Sequence, residues 1–180
     1  MNVGAIARAC RRLILGTLLL PLSAVHAGTI SYVATPLGAN LWRYDYTVTN
    51  AIPSIAFDEL TVYFDVGRFE MLAEPTAPAG WDPIVVQPDP GIPSSGFYDA
   101  LNLGAPLGAG ATVSGFSVSF AYLGVGSPGA QSFDLLDSAT FSVVHSGTTA
   151  PIPEPASFAM ILMGLLGVSV AGRFSNRTAP

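Results

Sequence analysis

The central part of this 180-residue chain predicts an all-β fold, a two-sheet antiparallel β-sandwich. Three observations point there. Short runs of strict apolar–polar alternation recur along residues 28–147, the period of a half-buried strand. Gly 19 and Pro 15 together punctuate the chain densely, which favours turns over long helices. No stretch of this region keeps an apolar helical period over three turns.

The elements follow in chain order. A first apolar stretch covers 28–35. Trp42, Tyr44, Tyr46 and Val48 then alternate with Arg43, Asp45, Thr47 and Thr49, so the three rings share a face that fills the core. Leu60, Val62, Phe64 and Val66 alternate with Thr61, Tyr63 and Asp65 in the same way. Shorter strands are expected at 83–87, 97–103 and 131–136. Phe116, Val118, Phe120 and Tyr122 oppose Ser117, Ser119 and Ala121, and Phe141, Val143 and His145 form a last run. Turn signals separate them at Ala79-Gly80, Asp89-Pro90-Gly91, residues 107–110 and Ser127-Pro128-Gly129. Seven to nine strands at this spacing resemble the immunoglobulin-like or cohesin-like sandwiches of bacterial surfaces.

Composition removes several function classes. Residues 28–150 carry eleven acids against Arg43 and Arg68, a net charge of −9, and the whole chain has no lysine. Such a surface repels nucleic acid, so no nucleic-acid partner is expected, and it keeps an exported domain soluble. Cys10 stands alone, which excludes a disulfide framework. The acids are scattered and no calcium-loop spacing links them, so they read as solvated surface, with no metal and no cofactor expected.

Catalytic signals are equally sparse. His145 is the only histidine after residue 27, and no nucleophile elbow accompanies it. Gly104, Gly108 and Gly110 are spaced as a hairpin loop, without the helix a phosphate-binding motif needs. The reading is therefore not an enzyme. A hydrolase built on two carboxylates meeting only in space is one alternative. A carbohydrate-binding module is another, because planar rings stack on sugar faces. Its candidate contacts are Trp81, in the loop-like Pro78-Ala79-Gly80-Trp81-Asp82-Pro83, and Tyr63.

Both ends read as addresses. Arg8, Arg11 and Arg12 precede an apolar run at 13–22, and Val25-His26-Ala27 offers small residues at the −3 and −1 positions of a cleavage site between Ala27 and Gly28. Residues 1–27 are thus a signal peptide for the Sec translocon, and its removal takes Cys10 with it. At the other end, a proline-fixed linker at 148–155 leads into the uncharged residues 156–172. As a helix these span about 25 Å, enough for a short transmembrane segment. Arg173 and Arg177 in the tail 173–180 should stay cytoplasmic, which puts the sandwich across the inner membrane.

Ile152-Pro153-Glu154-Pro155-Ala156-Ser157, an apolar segment containing Gly164-Leu165-Leu166-Gly167, and the terminal arginines together resemble the PEP-CTERM sorting signal. The resemblance covers about 30 residues and rests on the order of three parts. It implies a Gram-negative bacterium with extracellular polysaccharide, and processing by exosortase, a membrane protease. Pro153, Glu154 and Pro155 would be its recognition motif, as substrate positions and not catalysts. The tail departs from the family pattern in having two separated arginines in place of a dense cluster. The expected role is structural or adhesive, at the cell surface or in an exopolysaccharide matrix.

Overall fold

A computed structural model describes residues 29–152. The expected signal peptide at 1–27 with its cleavage site between Ala27 and Gly28, Pro153-Glu154-Pro155, the expected transmembrane segment 156–172 and the tail 173–180 lie outside the described residues. Among the described residues no helix is long and apolar enough to cross a membrane.

Ten strands run in order: β1 Thr29–Gly38, β2 Leu41–Thr49, β3 Glu59–Phe64, β4 Phe69–Thr76, β5 Trp81–Val86, β6 Gly96–Asn102, β7 Thr112–Tyr122, β8 Ser132–Asp137, β9 Ser142–Thr148 and β10 Ala150–Pro151. They form two five-stranded sheets, ordered β10-β1-β2-β7-β4 and β5-β6-β3-β8-β9. Every pairing is antiparallel except that of β1 with β10. The all-β sandwich expected from alternation is therefore what forms, and its core lies between the inner faces.

Aromatic rings dominate that core. Tyr44, Tyr46, Tyr98, Phe57, Phe64, Phe116, Phe120 and Phe133 are all fully buried. A buried phenol needs a hydrogen-bond partner, and each of the three tyrosines finds one at the rim. Tyr44 donates to the Gly129 carbonyl at 2.6 Å, Tyr98 to the Thr76 carbonyl at 2.7 Å, and Tyr46 to Gln131 Oε1 at 2.7 Å. Burial pushes all three phenols up from their ordinary range, so they remain protonated donors.

Several elements differ from the sequence reading. Strand β4 had no alternation to reveal it. Met71 and Glu74 take positive φ, and the β4–β7 register slips on both sides of Ala73. Two irregularities turn the burial rhythm from every second residue to every third, with Phe69 and Leu72 inward. Val66 leaves the β3 run and sits in the turn before β4. Phe141 likewise precedes β9 and is exposed. A register shift in β9 puts Val143 on the outer face opposite Leu136, while His145 faces inward opposite Leu135. The stretch expected as linker from 148 belongs to the sandwich as far as Ile152, because β10 pairs with β1. In β7 the strand reaches back to Thr112 across a bulge at Gly115, whose φ of 102° a side chain would resist.

Candidate functional site

The candidate surface is the outer face of the β5-β6-β3-β8-β9 sheet, where most of the perturbed carboxyl and phenol groups outside the core meet. Register defines its rows, since paired residues share a face. One row runs Ile84, Asp99, Thr61, Asp134, Ser146 across all five strands. A second runs Asp82, Leu101, Glu59, Leu136, Val143. A third carries Val86, Phe97 and Tyr63. The result is an acidic stripe of Asp99, Glu59 and Asp134, fringed by exposed Ile84, Val86 and Val143.

Hydrogen bonds order the stripe. Thr61 Oγ1 donates to Asp99 Oδ2 at 2.6 Å. Tyr63 donates to Asp134 Oδ2 at 2.9 Å, and Ser146 Oγ donates to the other oxygen of Asp134 at 2.5 Å. Burial, followed by the bond to Asp134 and its negative charge, has the Tyr63 phenol pushed up to about 12. Asp99 is almost completely covered, and desolvation raises its carboxyl above the usual range despite the hydroxyl donated by Thr61. Burial also raises Glu59, and the neighbouring charge of Asp99 adds to it. Both basic residues of the domain lie elsewhere: Arg43 on β2 of the other sheet, Arg68 in the turn between β3 and β4.

These raised carboxyls have a thermodynamic consequence. Folding lifts Asp99 and Glu59 above their unfolded values near pH 4, so in the window just above that pH the folded chain holds more protons than the unfolded one. Stability should therefore rise as pH falls through that window, and the full penalty is present at neutral pH. Asp99→Asn keeps an acceptor for Thr61 and removes the charge. We expect this variant to have a higher Tm than the parent at pH 7 and a flatter dependence of Tm between pH 7 and 4.5. A variant less stable at pH 7, measured by thermal unfolding, would contradict the assignment of a charge penalty here.

The two residues singled out for sugar contact do not share a surface. Tyr63 stands on the outer face, directly opposite Phe97 in register, and its hydroxyl is engaged by Asp134. Trp81 is the first residue of β5 and not part of a loop; it packs inward, edge-on to Phe116 with ring centroids 5.0 Å apart and planes at 89°. Trp42 also packs against the core, as expected from its face. His145, expected at the end of the last strand, sits within β9 with its ring 6.0 Å from Phe133. Phe97 was legible only as a strand residue, because nothing local tells an outward ring from an inward one.

Glu59 and Asp99 are neighbours on one sheet face and do not oppose each other across a cleft. Among the described residues no group of three or more metal-ligating side chains is close enough to hold an ion.

Comparison with protein-family models and with curated proteins finds no match. Among solved structures the chain is similar to a non-cellulosomal cohesin from the hyperthermophilic archaeon Archaeoglobus fulgidus. That likeness has a TM-score of 0.34 at 11% identity and covers 73% of this chain and 97% of that one.

Proposed function

We propose that this chain is an exported, exosortase-processed surface or matrix protein with a structural or adhesive role beside exopolysaccharide. The observation that carries the reading is the ordered signal at the C-terminus: Pro153-Glu154-Pro155, seventeen uncharged residues at 156–172, then Arg173 and Arg177. A membrane stop would hold the domain at the outer side of the inner membrane after Sec export. The prolines keep their segment out of a helix, so its backbone would be open to a membrane protease. The sandwich supports a role based on contact: the acidic stripe with its apolar fringe presents side chains for association, and its Glu59 and Asp99 lie side by side on one sheet face. Eleven acids against two arginines in residues 28–150 would repel an acidic polymer, so an uncharged or basic polysaccharide suits this surface better.

The test is the intact mass of the native protein from cells with and without their exosortase. A mass ending within Pro153–Pro155 in the released fraction, absent when the protease is missing, is the expected result. A chain retaining residues 156–180 in the inner membrane of both strains would overturn processing and the matrix role together.

A further inference from the structure

The four outermost strands of the two sheets are guarded unequally. Strand β4 has two irregularities and Pro75, β5 carries Asp82 and Pro83, and β9 is bulged. In the remaining sheet edge, β10 covers only Ser31 and Tyr32 of β1. Beyond it, Val33-Ala34-Thr35 has no charge and no register shift, and Val33 is 44% exposed. An edge of that kind is a template for another strand.

The register says which strand fits. Ile152 N–H donates to the Tyr32 carbonyl at 2.9 Å, so the main-chain groups of Tyr32 point toward β10. Strand geometry repeats every second residue, so the N–H and C=O of Ala34 point the same way. On the incoming chain, continuing Ser31↔Ala150 and Tyr32↔Pro151 in parallel brings Pro153 beside Ala34 and Glu154 beside Thr35. In that register the inward-facing N–H groups belong to Ile152, Glu154 and Ala156. Every outward position, 151, 153 and 155, is a proline. A proline is tolerated in an edge strand where its missing N–H faces away from the sheet. In that register the alternation would bond β1 on one side and refuse any further strand on the other.

Charge agrees with the same register. Thr35 pairs with Arg43 on β2, and Arg43 is one of only two basic residues in 29–152. Arg43 Nε already donates to Asp45 Oδ2 at 3.0 Å, and Glu154 beside Thr35 would stand two strands from Arg43 on the same outer face, about 10 Å between backbones, as a second carboxylate within reach of that side chain.

We propose that Pro153-Glu154-Pro155 docks on β1 as the parallel continuation of β10, with Ala34 N–H donating to the Ile152 carbonyl and Glu154 N–H donating to the Ala34 carbonyl. The occupant of the open edge is this chain's own segment. The inference stands whether or not the segment is a processing signal. If it is one, a protease must first peel these bonds.

Parity supplies the test. In the full chain, purified in detergent from a host without exosortase and confirmed by mass to retain residues 156–180, amide hydrogen exchange is followed at Ala34. Pro153→Ala alters an outward position and should leave Ala34 protected. Glu154→Pro removes the inward donor, keeps the segment extended, and should speed exchange at Ala34 by about tenfold or more, with core amides such as that of Val118 unchanged. A second readout uses Thr35→Cys with Glu154→Cys in a Cys10→Ser background. An intramolecular disulfide should form about tenfold faster than in the mismatched Thr49→Cys pair. Equal exchange at Ala34 in the parent and Glu154→Pro chains would overturn the docking. So would cross-links only between chains, which would give the edge to a second copy.

Discussion

Asn50→Asp is expected to destabilise the domain by about 2–5 kcal/mol at neutral pH, because two buried carbonyls lose their donor at once. Asn50 is fully buried, and its Nδ2 donates at 2.8 Å to the carbonyl of Ile55 and at 2.8 Å to that of Leu107. Its Oδ1 accepts from Ile52 N–H at 3.1 Å. The main chain joins in, with Asn50 N–H donating to the Ala111 carbonyl and Gly110 N–H to the Asn50 carbonyl. One side chain thus fixes the crossing from β2 to β3 against the loop that precedes β7. A carboxylate of nearly the same shape would place negative oxygen against two carbonyl oxygens. Protonating it restores one donor, so the loss should be smaller at pH 4 than at pH 7. Urea unfolding at both pH values checks this, with Asn50→Ala as the variant that has no pH-dependent rescue. An Asp variant as stable as the parent at pH 7 would mean that the loops hold themselves in place.

Phe120→Ala is expected to cost about 3–5 kcal/mol, the usual range for deleting a fully buried ring. Its ring lies 4.8 Å from Tyr44, 5.3 Å from Phe69 and 5.6 Å from Phe64, centroid to centroid. Tyr44 and Phe69 belong to the same sheet as Phe120, and Phe64 to the opposite one, so the ring joins the two layers. Aromatic neighbours cannot collapse into the void without leaving their rotamers, which places the cost in the upper part of the range. Phe120→Leu should recover more than half of it. A loss below about 1 kcal/mol for the alanine variant in urea unfolding would show that the cavity closes freely. Domains of this size have only about 5–15 kcal/mol in total, so either substitution removes a large share.

Much of the fold was legible because a regular strand is a local object. Tyr44, Tyr46 and Val48 on β2, and Phe116, Val118 and Phe120 on β7, announce their inner face through a period of two. The same rule fails where a bulge resets the phase. Strand β4 reads as period three, and in β9 the shift separates Val143 from His145 by face. The candidate surface was less legible still. Tyr63 was visible as an outward ring on an alternating strand, but its partner Asp134 lies 71 residues away, and Thr61 lies 38 from Asp99. Trp81 looked like a loop residue because Gly80 and Pro83 flank it. Strand pairing with β6 instead turns its ring onto Phe116.

By itself the sequence determined the strand-rich domain, the inner faces of its regular strands, its acidic charge and the order of charged, apolar and proline-rich stretches at its ends, all properties carried by neighbouring residues. Tertiary structure alone decided which carboxyls share a face, which rings are consumed by the core, and that the first strand closes against the last. Those outcomes depend on register between distant segments. Register is set by the sum of many pairings across the sheet, and no single stretch of chain contains it.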